Sequence, residues 1–346
     1  EEAIASYDQA LQHNPDDAQT WSHRGAALAK LGQQEEAIAS YDRALRLNSD
    51  LAWVWSNWAA ALNNSERYQE ALESAEKCIS LQPEGAHGWY VKGYALDRLG
   101  HYQEALASYD QALQITPDDP LTWRDRASPL SKLQRHEDAI ASFDQALQYK
   151  PDDPEILMRR GAGLSLLRRY EEAIADFDRA LQYQPDNAGT MYIRGVALMF
   201  LERHQEAIAD FDRTLRLNSN FPSIWSFRGF SLINLGKAEE AIESFDQAFQ
   251  HNPEDSEAFY GRGRALSDLR RYEEAIASYD RALQYKPDDA RSWSNRGSVL
   301  KSLGRYEEAI ASFDQALQYE PNNAQAWDNR SAALGQLGRH EEALVS

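Results

Sequence analysis

Apolar and small residues recur at helical spacing along the whole chain, in short runs separated by breaks. In the stretch from Ala290 to Asn323, the first run consists of Trp293, Gly297, Leu300 and Leu303. The second run consists of Tyr306, Ala309, Ile310, Phe313, Ala316 and Leu317. Residues spaced by three and four positions share one face of an α-helix. The pattern therefore predicts two amphipathic helices within this stretch of thirty-four residues.

Residues with special backbone preferences lie where these two helices are expected to begin and end. Asp288 and Asp289 precede the first helix, where a carboxylate can accept hydrogen bonds from free backbone N–H groups. Gly304 follows the first helix, and glycine readily adopts the left-handed conformation that commonly ends a helix. Pro321 cannot continue the second helix, because proline lacks a backbone N–H. Local backbone chemistry therefore sets the helix boundaries.

The same pattern recurs every thirty-four residues without an insertion. The place of Trp293 is filled in chain order by Trp21, Trp55, Trp89, Trp123, Leu157, Met191, Trp225, Phe259, Trp293 and Trp327. The place of Ala309 is filled by Ala3, Ala37, Ala71, Ala105, Ala139, Ala173, Ala207, Ala241, Ala275, Ala309 and Ala343. Recurrence at a fixed period predicts a repeat architecture in which each unit packs mainly on its neighbours.

The repeated unit resembles the tetratricopeptide repeat, a helix-turn-helix unit of this length. The residues at the signature places of that family are Trp293, Gly297, Leu300, Ala309, Phe313, Ala316 and Pro321. The resemblance covers the whole chain. It implies an all-α, right-handed superhelical solenoid of antiparallel helix pairs, in which the first helices line a concave groove. It also implies that the chain binds a protein or peptide ligand in that groove.

We expect a single solenoid over residues 1–346. Residues 18–323 contain nine full repeats, residues 1–17 a partial repeat and residues 324–346 another partial repeat. A repeat cannot bury its apolar face alone, so natural arrays usually finish in a polar capping element. The sequence shows no such element, which indicates a fragment of a longer protein.

Charge and composition narrow the range of partners. The formal net charge is −19 at pH 7, and this charge disfavours nucleic acids and anionic membranes as partners. The sequence shows no signal peptide and no apolar run that could span a bilayer, and we expect a cytoplasmic protein. The single cysteine, Cys78, excludes an internal disulfide framework. It stands where most repeats have alanine, so we expect a small packed side chain.

The titratable residues do not form a pattern that is typical of catalysis. Paired carboxylates such as Glu171 and Glu172 lie at the start of second helices, where negative charge favours the helix dipole. The histidines in the turns of different repeats are His101, His136, His204 and His340. These places are too far apart to share a metal ion, whose ligands must lie about 2 Å from it. We therefore expect no catalytic residue, no metal site and no cofactor.

Two ladders of opposite charge follow the repeat period. The residue before the first-helix glycine place is Arg24, Lys92, Arg126, Arg160, Arg194, Arg228, Arg262, Arg296 or Arg330, with Trp58 as the exception. The acidic residue after the second-helix aromatic place is Asp8, Asp42, Glu76, Asp110, Asp144, Asp178, Asp212, Asp246, Asp280 or Asp314. Partly buried charges are normally paired, so we predict that most of these residues form salt bridges. The sequence leaves open whether each arginine contacts its own repeat or the preceding one.

Apolar residues collect on the groove-facing stripe of repeats five to seven. The candidate partner-binding residues are Met158, Leu166, Tyr192, Val196, Met199, Phe200, Phe230 and Ile233. On a helical projection they lie opposite the core residues, so burial within their own repeats does not explain them. An exposed apolar patch usually marks a contact surface. The alternative is that curvature of the solenoid packs these side chains against neighbouring first helices.

The favoured interpretation is a non-catalytic scaffold that binds a protein or peptide in the concave groove. The acidic surface favours a partner with apolar anchors and basic flanks. One alternative is a regulatory or substrate-selecting arm of a larger enzyme whose catalytic domain lies elsewhere. Another alternative is a structural array that self-associates through its ends or through the apolar patch.

Overall fold

The computed structural model describes residues 2–217 and 222–345. Its secondary structure is helical throughout the described part, which contains no strand. The chain divides into two compact units, residues 1–183 and residues 184–346, which are described separately below.

The described residues form helices α1 to α21. The first unit contains α1 Glu2–His13, α2 Ala18–Lys30, α3 Gln34–Leu47, α4 Ala52–Asn64, α5 Tyr68–Leu81, α6 Ala86–Arg98, α7 Tyr102–Ile115, α8 Pro120–Lys132, α9 His136–Tyr149, α10 Pro154–Leu166 and α11 Tyr170–Tyr183. The second unit contains α12 Ala188–Phe200, α13 His204–Leu217, α14 Pro222–Asn234, α15 Ala238–His251, α16 Ser256–Asp268, α17 Tyr272–Tyr285, α18 Ala290–Ser302, α19 Tyr306–Tyr319, α20 Ala324–Gln336 and α21 His340–Val345.

The even-numbered helices begin thirty-four residues apart, in agreement with the sequence period. Each of them except α20 packs most extensively on the odd-numbered helix that follows it, as α2 does on α3 and α18 on α19. Each odd-numbered helix also packs on the next even-numbered helix within its unit. The prediction of an all-α array of antiparallel helix pairs is confirmed. We refer below to the even-numbered helix of each pair as the first helix and to its partner as the second helix.

Backbone chemistry explains where the helices begin and end. The side chain of Asp289 accepts a hydrogen bond from the Ser292 N–H at 3.1 Å and caps α18. Gly304 follows α18 with a φ of 76°, as the sequence predicts. In five other repeats the same left-handed position is held by a residue with a side chain: Glu66, Gln134, Arg168, Glu202 and Arg270. The helix pair therefore imposes this turn even where the residue does not favour it.

A glycine and an aromatic ring meet where the two helices of most repeats approach each other. A Cβ atom added to Gly297 would lie 2.7 Å from Cε1 of Phe313, which is closer than van der Waals contact allows. In the second repeat the two corresponding residues are Ala59 and Ala75, and both are fully buried. The crossing therefore accepts residue pairs of different total volume, and in the fourth repeat the pair is Ala127 and Phe143, which are both buried.

Enlarging a small residue at this helix crossing should destabilise the repeat. Ala309 is fully buried, so we expect Ala309→Leu to lower the free energy of unfolding by about 1–3 kcal/mol through overpacking. Chemical denaturation would measure the change. Ala311→Leu is the matched control, because Ala311 is exposed on the same helix. Equal stability of the two variants would show that the crossing has room for a larger side chain.

Candidate partner-binding face

The two charge ladders form salt bridges, as predicted, and eight of the cations contact the acid of the preceding repeat. The Arg24 Nε atom, for example, lies 2.7 Å from Asp8 Oδ1. Distances of 2.5 to 3.0 Å join Arg24 to Asp8, Lys92 to Glu76, Arg126 to Asp110, Arg160 to Asp144, Arg228 to Asp212, Arg262 to Asp246, Arg296 to Asp280 and Arg330 to Asp314. The ladder links successive repeats within each unit.

Most ladder arginines also donate to the second helix of their own repeat. Arg126 Nη1 donates to Ser142 Oγ at 2.7 Å, and Arg160 Nη2 lies 2.6 Å from Asp176 Oδ1. The hydrogen bond with Asp176 is the main reason why the pKa of Arg160 is raised above its usual value. One guanidinium therefore ties together two consecutive second helices, which is a structural role.

Trp58 interrupts the ladder, and a different arginine compensates for it. Asp42, which a cation at position 58 would contact, instead lies 2.8 Å from Arg46 Nε one turn further along α3. The Trp58 ring packs near Trp55, with 5.4 Å between the ring centroids. The interruption therefore replaces a salt bridge by apolar packing and leaves the acidic partner paired.

In the first unit, the two candidate partner-binding residues differ in exposure. Met158 is half-buried and packs against the core formed around Leu130, Phe143 and Leu157. Leu166, in the last turn of α10, is 68% exposed. Only Leu166 therefore offers a largely exposed apolar side chain in this unit's part of the candidate set.

In the second unit, four candidates lie together on α12. Phe200 is 58% exposed, and Tyr192, Val196 and Met199 are half-buried. The Tyr192 hydroxyl and Ser223 Oγ are 3.2 Å apart, which is hydrogen-bonding distance. This set of α12 residues, called the α12 apolar face below, combines partial burial with substantial exposed area.

Of the remaining two candidates, Ile233 belongs to the core of the second unit and Phe230 packs against that core. The expectation that Ile233 is exposed is wrong, because only 7% of its surface is accessible and it lies in the hydrophobic core of the second unit. Phe230 is half-buried and packs edge-on against Phe245 in the second helix of its own repeat, with 5.3 Å between ring centroids. The inference that its own repeat does not bury Phe230 is therefore also wrong.

The sequence reading missed a cluster of charged and aromatic residues on first helices of the second unit. The Arg291 guanidinium carbon lies 4.8 Å from the centroid of the Tyr260 ring. Its nitrogens lie 2.6 Å from Glu257 Oε1 and 3.0 Å from Asp289 Oδ1. Asn295 donates to the Tyr260 hydroxyl at 3.3 Å. The arginine is thus held by one ring and two carboxylates.

The corresponding place in the first unit is a surface cavity of about 310 Å³. Its lining includes His87, Tyr90, Asp119 and Leu121. The rings of His87 and Tyr90 are nearly parallel, with 6.1 Å between their centroids. The Tyr90 hydroxyl donates to Asp125 Oδ2 at 2.9 Å, and burial together with this carboxylate raises the pKa of Tyr90. The sequence does contain a signal for this place. In both units a tyrosine is followed, twenty-nine residues later, by an aspartate that caps the next first helix.

The described residues also include one cysteine and side chains of the types that bind metal ions. Cys78 is buried, as expected, and burial raises the pKa of its thiol. Within residues 2–217 and 222–345 no group of three or more His, Cys, Asp or Glu side chains could hold a metal ion. Among the helices that the structure describes, none is long and apolar enough to cross a membrane.

Family models described as tetratricopeptide repeat match most of the chain. One model matches residues 57–120, 167–221 and 229–290, which together exceed half of the sequence. Other models of the same description match residues 18–51, 127–153 and 262–334. The chain belongs to the tetratricopeptide repeat family. Comparison with curated protein sequences found no match.

Solved structures of similar fold span much of this tetratricopeptide repeat chain. A tetratricopeptide repeat protein from Parabacteroides merdae is 19% identical to it, with a TM-score of 0.55, covering 72% of this chain and 98% of its own. The APC/C hetero-tetramer Cut9–Hcn1 is 14% identical, with a TM-score of 0.54, covering 96% of this chain and 81% of its own. Identities this low establish a shared fold.

Proposed function

We propose that this tetratricopeptide repeat protein is a non-catalytic scaffold that binds a protein or peptide on the α12 apolar face. The observation that carries the proposal is the exposure of large apolar side chains on a first helix, with Phe200 at 58%. Methionine and aromatic side chains adapt well to an apolar segment of a partner. The net charge of −19 favours basic residues beside that segment.

Phe230 and Ile233 are unsuitable positions for a test of this face. Both pack in the core of the second unit, so changing either would disturb folding as well as binding. Met199 is the better position for a test, because it is half-buried on α12 and belongs to none of the core clusters described for this unit. A carboxylate placed there would oppose an apolar partner directly.

Selection of random twelve-residue peptides on the immobilised protein would identify ligands for the α12 apolar face. We expect the selected peptides to carry apolar residues flanked by lysine or arginine. Met199→Asp should weaken their binding by about tenfold or more, because a buried apolar anchor typically contributes more than 1 kcal/mol. Fluorescence anisotropy with labelled peptides would measure the affinity.

Ser267→Asp is the matched control for this experiment. Ser267 occupies the place of Met199 two repeats later, in the same unit, and is also half-buried. The control adds the same charge away from the apolar face, so it should leave peptide affinity unchanged. Equal affinity of the two variants for every selected peptide would contradict the proposal. Light scattering of wild type and Met199→Asp would show whether a second copy of the chain uses this face.

A further inference from the structure

Within this chain, one arginine side chain packs against a tyrosine of a neighbouring first helix. In the second unit, Arg291 stacks on Tyr260 and pairs with Asp289 and Glu257. Asp289 also caps α18, and this hydrogen bond holds its carboxylate in place beside the Arg291 guanidinium. Cation–π attraction and a charged hydrogen bond act on the same group here.

The first unit repeats the tyrosine and the capping aspartate of this arrangement, but it has His87 at the place of Glu257 and lacks the arginine. Tyr90 stands at the place of Tyr260, and Asp119 stands at the place of Asp289. Asp119 caps α8 by accepting hydrogen bonds from the Leu121 and Thr122 N–H groups at 3.3 and 3.1 Å. Leu121, at the place of Arg291, is 39% exposed and lines the 310 Å³ cavity. The ring and the carboxylate are therefore present beside open space.

We propose that the cavity of His87, Tyr90, Asp119 and Leu121 binds an arginine side chain of a partner protein, in the way that Tyr260 and Asp289 hold Arg291. The inference rests on the proposed function only in assigning the guanidinium to a partner protein. The inference adds a second proposed contact site, which lies on the first unit. It also specifies that the partner carries an arginine side chain.

The charges around the cavity are compatible with a guanidinium. Arg124, the nearest cation on α8, is already paired with Asp125 at 2.7 Å and with Glu155 at 3.3 Å. Burial lowers the pKa of the His87 imidazole, so this ring is neutral at pH 7 and does not repel a cation. The planar guanidinium can stack on Tyr90 while donating to Asp119.

Titration with Nα-acetyl-L-arginine amide, followed by amide NMR shifts of a deuterated sample, tests the cavity without any partner. The neutral isostere Nα-acetyl-L-citrulline amide is the ligand control. We expect saturable shifts at Tyr90, Leu121 and Thr122 with the arginine compound, and about fivefold weaker binding or none with citrulline. Equal shifts with both compounds would overturn the inference.

Two variants remove the site in different ways. Leu121→Arg should fill the cavity from within, as Arg291 does in the second unit, and abolish the shifts at Tyr90. Asp119→Asn removes the charge and keeps a good helix cap, so it should abolish the preference for arginine while α8 stays folded. Asp153→Asn is the matched control, because Asp153 caps α10 in the same way at 3.0 Å. Persistence of the shifts in both site variants would overturn the inference.

The reverse change provides a gain of binding. Arg291→Leu removes the internal arginine from Tyr260, so the arginine compound should produce new shifts at Tyr260 that wild type lacks. Absence of these shifts in a folded Arg291→Leu protein would contradict the internal analogy. Because the compound has no apolar anchor, its binding and the peptide binding disrupted by Met199→Asp can fail independently.

Discussion

Phe313→Ala is expected to lower the free energy of unfolding of its repeat by about 3–5 kcal/mol, the usual cost of deleting a fully buried aromatic ring. Phe313 is fully buried against Gly297 at the crossing of α18 and α19. Repeat arrays often unfold in parts. Amide hydrogen exchange of α18 and α19 is therefore the appropriate measurement, together with denaturation of the whole protein.

The second repeat supplies a control for this prediction. There, Ala59 and Ala75 replace the glycine and the aromatic ring. We expect Gly297→Ala to destabilise wild type, because its new Cβ would lie 2.7 Å from the Phe313 ring. In the Phe313→Ala background the same change should be neutral or stabilising, because the methyl group enters the cavity. Additive effects of the two substitutions would show that the residues do not share one space.

Arg160→Met should destabilise the first unit by about 3–5 kcal/mol at pH 7, because it leaves a buried carboxylate without its partner. The Asp176 side chain is 4% exposed and lies 2.6 Å from Arg160. Methionine retains most of the apolar stem of arginine, so the loss reports mainly on the charge. Urea denaturation followed by circular dichroism would measure the change.

Arg126→Met is the matched substitution one repeat earlier. Its partners are Asp110, which is 47% exposed, and the neutral hydroxyl of Ser142. We expect a loss of only about 1 kcal/mol there. Adding Asp176→Ser to Arg160→Met should recover most of the lost stability. Equal losses in the two methionine variants would show that burial of Asp176 does not determine the cost.

The sequence was sufficient to predict the helix pairs, because helical periodicity, capping residues and the constant repeat period all indicate the same helix positions. It also predicted the salt bridges, since partly buried charges of opposite sign recur together. It could not show which repeat each arginine contacts. The acid of the preceding repeat, Asp8, is sixteen residues from Arg24, and the acid of its own repeat, Asp42, is eighteen residues away, so spacing alone does not choose between them.

The exposure of the candidate partner-binding residues was harder to predict. A helical projection gives the direction of a side chain, but it does not show whether a neighbouring helix covers that side chain. Ile233 lies opposite its core residues on such a projection and is nevertheless 7% exposed. Phe230 reaches the second helix of its own repeat because Gly229 precedes it and lets the Phe245 ring approach. The cavity beside Tyr90 was missed because its residues come from two repeats.

The arginine ladder also affects how the number of repeats in a protein of this kind can change. Six ladder arginines contact residues sixteen positions before and after them, and the residue types at those positions recur: Arg24, Arg126, Arg160, Arg228, Arg262 and Arg296. Loss of residues 263–296 would bring Ser312 to the place of Ser278 beside Arg262. Unequal crossing-over between repeats that carry this arginine therefore adds or deletes a whole unit while the new junction keeps bonds of the same types. Copy number can vary without any compensating point mutation.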